Sequence, residues 1–385
     1  MNPLYVAMPT TIFEVMSGLA RETGAVNLGQ GFPDSNGPPD VIERAQRALV
    51  EGSNQYPPMA GLPELRQAIA AHYRRHQGLD LDWEREITVT SGATEAIAAA
   101  IFALVAPGDE VVLFQPLYDA YLPLVLRAGG VPRLVSLSPP DWGIDATLLD
   151  RAFTPKTKLV IFNTPLNPSA SLFGREALAL LAERIVAADA VVIADEVWEH
   201  LVYDGAAHIP LMSLPGMRER TVKIGSAGKI FSLTGWKVGW MCAAPHLAEV
   251  VARAHQFLTF TTPPNLQAAA AYGLGKEDSY FDTMRAGYAR SRDRMAAGLK
   301  AAGYHVLPAA GTYFLTVDLA ASGITMDDAT FCQRAVREAG VAAIPISAFY
   351  AEDAPTNVVR LCFAKTNATI DAGIAALAKA RTLLA

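Results

Sequence analysis

Seven short apolar runs rich in β-branched residues, alternating with helical patterns, constrain this chain more than any other feature. They are "EITVTSG", "DEVVLFQP", "VPRLVSLSP", "TKLVIFNTP", "AVVIADEV", "TVKIGSAGK" and "VGWMCAAP". Runs of this length without polar alternation read as strands buried on both faces, and helices between them build a largely parallel sheet. The expected fold class is α/β, a large domain doubly wound about a mostly parallel seven-stranded sheet. Ligands of such sheets bind outside the carboxyl ends of the strands. The residues just past the runs, "SGATEA", "QPLYDAY", "NTPLNPSA", "DEVWEH" and "SAGK", are therefore where chemistry is expected.

The flanks divide the chain. Glycines and prolines in "NLGQGFPDSNGPP" describe a loop. "PDVIERAQRALVEG" and "GLPELRQAIAAHYRRHQG" carry helical apolar spacing, with Pro near the start and Gly at the end. Beyond about Phe281 a long basic helix, a hairpin in "HVLPAAGTYFLTVDL", a helix through "FCQRAVREAG" and a strand in "VVRLCFAK" suggest a smaller α+β unit. The expected organisation is an N-terminal segment 1–36 packing with the small domain, a large ligand-binding domain 37–280, and a small domain 281–385. At 385 residues and 51% hydrophobic content, the chain can bury cores of this size.

Composition narrows the partners. A net charge of -6 and a pI near 5.7 give no reason to expect nucleic acid or an anionic membrane. The longest apolar run, "AIAAAIFALVA", is too short to span a bilayer and reads as a buried helix. No basic residue precedes Arg21, so a secretory leader is not expected. Cys242, Cys332 and Cys362 are odd in number and lack C-x-x-C spacing, which points to reduced thiols in a cytoplasmic protein.

Two side chains anchor the chemistry. Asp195 ends "AVVIA", where an unpaired buried carboxylate is costly and a cationic partner is expected. Lys229 follows "TVKIGSAG", at the end of a neighbouring element of the sheet, in a tight turn within "GSAGKIFSLTGWKVGW". This is not the G-x-x-x-x-G-K-[ST] phosphate loop, which requires glycine at Lys223 and a hydroxyl at Ile230. "SGATEAIAAAI" is instead a strand, a small-residue turn and a helix start, whose N–H groups at Gly92, Ala93 and Thr94 suit a phosphate, with Ser226 and Lys237 completing the site. Tyr118 in "PLYDAY" is placed to cover a flat ring. A flat ring with a phosphate, a ring nitrogen protonated opposite a carboxylate and an aldehyde captured by lysine describes pyridoxal 5′-phosphate (PLP).

Plainer readings stand beside these. Lys229 and Lys237 taken singly are surface lysines. Asp195 with Glu196, thickened by Glu199 and His200, is also a pattern for hydrolysis or a metal. His72 and His76 have zinc-ligand spacing, but no glutamate follows the first and arginines fill the gap, so a solvated helix face is expected. Asn163 and Asn167 in "NTPLNP" also suit a turn. Arg360 on a strand also reads as an interface ion pair, and Tyr118, Tyr121, Phe13 and Phe260 as core aromatics.

The string "SAGKIFSLTGWKVGW" resembles the lysine motif of class I/II PLP-dependent aminotransferases. "VNLGQGFPD", "NQYPPMAGLPELR", "SGATEA", "NTPLNP", "ADEVWEHLVYDG" and "VVRLCFAK" follow in the family's order, so the resemblance covers nearly the whole chain. Within the family the chain is most similar to the methionine, kynurenine and glutamine aminotransferase branch. The resemblance implies the PLP-dependent transferase fold type I and a homodimer sharing its active sites.

Residue by residue, the resemblance implies that Lys229 is the covalent anchor and proton shuttle and that Asp195 pairs with the ring nitrogen. Asn167 meets the phenolic oxygen, and Tyr118 stacks on the ring. Gly92, Ala93, Thr94, Ser226 and Lys237 hold the phosphate, joined by Tyr56 from a partner subunit. Arg360 clamps the substrate carboxylate, with Gly31 at the same end. Phe13 and Phe260, like Phe349, resemble apolar pocket walls. Trp198 departs from the pattern, standing where most members carry a tyrosine that donates to the phenolic oxygen. Leu166 and Ala170 replace the usual residues of the family turn.

The expected reaction is transamination between a bulky neutral, aromatic or sulfur-containing L-amino acid and a 2-oxo acid. Cysteine-conjugate β-elimination is the alternative, and a non-catalytic regulatory protein on the same fold a third. No metal is expected.

Overall fold

The computed structural model describes residues 1–385. The seven runs form one sheet, ordered Ile87–Thr90, Gly239–Cys242, Thr221–Ser226, Val191–Asp195, Thr157–Asn163, Glu110–Gln115, Val131–Ser136. Gly239–Cys242 runs against both neighbours, and every other pairing is parallel. Burial on both faces, expected of all seven, fails for Val131–Ser136: Val131 is exposed and Pro132 to Leu134 are half-buried. This strand is one edge of the sheet, with no paired neighbour on one flank, whereas the other edge, Ile87–Thr90, is buried throughout.

The helices begin and end where the residues dictate. Pro39–Glu51 and Pro63–Gln77 have Pro in the first turn, where no N–H is missed, and the second ends on Gly78 at φ 67°. The alanine-rich run lies in the helix Gly92–Leu104, whose Ala96, Ile97, Ala99, Ala100 and Ile101 are buried. No helix is long and apolar enough to cross a membrane. The three cysteines are buried and unpaired.

The second sheet is antiparallel, ordered Ile344–Pro345, Val358–Cys362, Phe314–Asp318, His305–Val306, and its last two strands are the expected hairpin. Near the N-terminus, Val26–Asn27 pairs in parallel with Val341–Ala342. The helix Asp278–Ala301 runs through position 281.

The solvated face expected for His72 and His76 is not what the chain builds. His72 lies seven residues after Leu65 and three after Ile69, on the stripe that faces the core, and is 2% exposed. Its Nδ1 meets the Leu274 carbonyl at 3.3 Å, and its Nε2 lies 2.7 Å from His200 Nε2. With Nδ1–H donated to the carbonyl, His72 Nε2 accepts from His200 Nε2–H. Burial holds both rings neutral, His72 pushed down to about 3. His76 is half-exposed.

Candidate active site

The carboxyl ends of the central strands and the start of the helix Gly92–Leu104 enclose a cavity of ≈ 230 Å³. Gly92, Ala93, Thr94, Tyr118, Asn167, Asp195, Trp198, Ser226, Lys229 and Lys237 all line it, together with Tyr121 and Asn163.

At one end the chain has left room for an anion. Ser91 makes no side-chain cap on the helix Gly92–Leu104, so the first N–H groups of that helix point their partial positive charge into the cavity. Gly92 has φ 77°, and a Cβ there would lie 3.2 Å from Lys237 Cε and 3.3 Å from its Nζ. A Cβ on Gly239 would come within 2.6 Å of the Gly92 carbonyl carbon. Bare backbone with an ammonium beside it matches a phosphate in size and charge.

Asp195, 5% exposed, faces the cavity from the end of Val191–Asp195. Tyr121 donates its hydroxyl to Asp195 Oδ2 at 2.5 Å, and the Val197 N–H lies 3.4 Å from Oδ1. Burial pushes the carboxyl up, opposed by the Tyr121 hydrogen bond, the Val197 N–H and the charge of Lys229. Tyr121 is no mere core aromatic. Its spacing of three from Tyr118 in "YDAY" was the available signal: it sets the two rings edge to face at 5.6 Å on one side of a turn.

The asparagines serve both the turn and the site. Asn163 donates to the Asp195 carbonyl at 2.8 Å and accepts the Asn167 N–H at 2.8 Å. Asn167 is thereby held with its Oδ1 accepting from Arg360 Nη1 at 3.0 Å. In the same turn Ala170 sits at φ 64°, a conformation that glycine adopts at lower cost.

Lys229 lies on the single helical turn Ala227–Ile230. Its Nζ is 4.7 Å from the centre of the Trp198 ring and 3.4 Å from the Tyr313 hydroxyl. Burial pushes the ammonium down to about 8, with Asp195 opposing and Arg360 and Lys237 assisting. The amine is thus within reach of its neutral, basic form near physiological pH.

Arg360, in the strand Val358–Cys362, is 1% exposed. Its Nη2 donates to the Gly29 carbonyl at 2.8 Å, and its guanidinium lies 4.0 Å from the Phe314 ring centre and 5.2 Å from those of Phe13 and Phe349. The partners are a carbonyl, an amide and three phenyl rings, and no carboxylate of the chain pairs with it, so the ion-pair reading is not realised within the chain. Burial pushes its pKa down to about 10. A carboxylate brought by a ligand supplies what this site lacks. Gly31 belongs to the same end, since a Cβ there would lie 3.6 Å from Arg360 Nη2.

Two expected residues stand apart. Tyr56 is 84% exposed and packs edge-on against Phe260 at 5.6 Å, and neither lines the cavity. Tyr313, which no motif flagged, does reach the lysine. The acidic cluster turns the other way: Glu196, one residue past the strand Val191–Asp195, meets the Lys223 ammonium directly. Lys223 also donates to Glu199 Oε2 at 2.7 Å, and His208 Nε2 lies 3.0 Å from Glu196 Oε2. Burial opposes ionisation there, but Lys223 and His208 hold Glu196 down at about 2. The ammonium occupies the place between the carboxylates that a metal would take.

A family model described as aminotransferase class I and II matches residues 23–377. The chain is 47% identical over 377 residues to the probable N-succinyldiaminopimelate aminotransferase DapC of Mycobacterium tuberculosis, covering 95% of this chain and 94% of that protein. It is 38% identical over 388 residues to human kynurenine–oxoglutarate transaminase 1, covering 92% of each. The crystal structure of YbdL from Escherichia coli, whose description identifies a methionine aminotransferase function, superposes with a TM-score of 0.94 at 41% identity, covering 97% of each chain.

Proposed function

The chain belongs to the class I and II aminotransferases, a PLP-dependent family, and from that membership we propose that it transfers the amino group of a bulky neutral, aromatic or sulfur-containing L-amino acid to a 2-oxo acid. The observation that carries the substrate class is the surround of Arg360: phenyl rings of Phe13, Phe314 and Phe349. The cations lining the adjoining cavity are Lys229 and Lys237, both with other work. One guanidinium receives the α-carboxylate, and an aromatic wall receives the side chain.

The residues present fit the cofactor. The Gly92 cradle and Lys237 would hold its phosphate, Tyr118 would cover its ring, and Asp195 would keep a proton on the ring nitrogen. Lys229 would be its covalent anchor. When bound, PLP draws electron density from the substrate's α-carbon and makes the α-proton removable. Arg360 and Asn167 orient the carboxylate. Lys229, its basicity reduced by burial, is the base that can take the proton from the substrate's α-carbon and hold it on its amine.

Tyr56 and Phe260 meet edge-on at 5.6 Å with both rings exposed, which supports a homodimer in which Tyr56 completes the partner's phosphate site. Sedimentation velocity should show a dimer, and Tyr56→Phe should raise the dissociation constant for PLP; a monomer with full activity overturns this part.

The test is a panel of methionine, kynurenine, glutamine, phenylalanine, aspartate and N-succinyl-diaminopimelate against several 2-oxo acids. Turnover led by the neutral donors is expected. The 47% identical relative supports a second reading, an N-acylated diamino acid with a terminal carboxylate, and preference for that donor or for aspartate sinks the neutral class. Pyruvate and ammonia released from a cysteine conjugate without any 2-oxo acid would show β-elimination.

A further inference from the structure

Tyr313 precedes the strand Phe314–Asp318 and is fully buried, its ring edge-on to Trp198 at 4.6 Å. Its hydroxyl donates to the Gly31 carbonyl at 2.6 Å. A phenol has one proton, so at the 3.4 Å contact with Lys229 Nζ the oxygen is the acceptor. Burial pushes its ionisation far up, so this hydroxyl stays neutral.

The carbonyl it chooses belongs to a loop with a second duty. Two residues earlier, the Gly29 carbonyl accepts Arg360 Nη2 at 2.8 Å. Asn27 Oδ1 accepts the N–H groups of Gly29 and Gln30 at 3.0 Å each, which fixes the loop's shape. One short, braced turn therefore carries the guanidinium on one carbonyl and the lysine's neighbour on another. We propose that Tyr313 is a positioning residue for the Lys229 amine, tying its orientation to the Gly29–Gly31 loop that also braces Arg360. A loop shift on carboxylate binding then moves the lysine's hydrogen-bond acceptor with it, so that filling the arginine site adjusts the amine. The inference rests on Lys229 being the cofactor anchor.

The test reads the PLP-loaded protein by absorbance. Tyr313→Phe keeps the ring and removes the acceptor, and should move the pH midpoint of the bound cofactor's visible band by about half to one unit. Gly31→Ala touches no atom of the lysine, but its Cβ would sit 3.1 Å from Phe314 Cζ, so the loop and that ring must part by a few tenths of an ångström. It should shift the same midpoint, and add nothing in the Tyr313→Phe background. Tyr288→Phe, a neighbouring ring whose hydroxyl bonds Ser232 Oγ at 2.8 Å, should leave the midpoint unchanged. A wild-type midpoint in folded Tyr313→Phe, or shifts that simply add, overturns the proposal. Should Tyr313→Phe not fold, Gly31→Ala alone decides, and an unmoved midpoint rejects it. Lys229→Ala separates the premise: a visible band surviving there removes the anchor assignment itself.

Discussion

The Tyr121 hydroxyl and Asp195 Oδ2 lie 2.5 Å apart, both side chains buried at the wall of the cavity. The tyrosine stabilises the ionised carboxylate, and burial works against it. Removing the donor in Tyr121→Phe raises the carboxyl pKa, so as pH falls the negative charge is lost earlier. The acid limb of the kcat profile should move to higher pH, and kcat near neutrality should drop roughly tenfold or more, the scale of a hydrogen bond to a charged group. Stopped-flow rates across pH check this, and an unmoved acid limb denies the pairing any role.

Lys229 titrates at about 8 because burial disfavours its charge. Its neutral, nucleophilic form therefore appears at lower pH than for an ordinary lysine. In cofactor-free protein, the rate of labelling Lys229 by an amine-directed reagent, followed by peptide mass spectrometry, should rise with a midpoint near 8. Asp195 raises this pKa and Lys237 lowers it. Asp195→Asn should move the midpoint down, and Lys237→Met up.

Arg360→Lys keeps a charge but loses the planar fork. With a bidentate carboxylate contact reduced to a point contact, kcat/KM should fall about 10- to 100-fold. The visible spectrum of bound cofactor should be retained, since the phosphate cradle is untouched. Steady-state kinetics beside a spectrum of each variant separates the two effects.

Lys223 neutralises two buried carboxylates that do not line the cavity. Lys223→Met takes the ammonium from both, leaving Glu196 with His208 and Glu199 with Tyr73 and Gln77, and should destabilise the protein by about 3–5 kcal/mol. Folded Lys223→Met should still show the cofactor band. Chemical denaturation of the loaded protein measures the loss, and a stability within about 0.5 kcal/mol of wild type contradicts the pairing.

Much of this architecture is written in short-range patterns. The seven apolar runs became the seven strands because β-branched runs bounded by turns have few other ways to bury themselves. Residues immediately past those runs line the cavity because a parallel sheet ends all such strands on one side, so Asp195 and Lys229 were legible as neighbours although 34 positions apart in "ADEV…SAGK". Arg360 was found by its motif, not by any property of its strand.

What the tertiary structure decided concerns side chains whose partners come from distant segments. Glu196 follows Asp195 directly yet leaves the site, since its charge is met by Lys223 on the adjacent strand. His72 became a core residue through His200 and Leu274, 128 and 202 positions away. Tyr313 acquired a place beside the lysine only because the Gly31 carbonyl, 282 residues earlier, takes its proton. Backbone pattern and motif determine which elements form and where they end; the hydrogen bond that assigns a buried polar group its task depends on which distant partner the packed chain brings within 3 Å or so, the reach of such a bond.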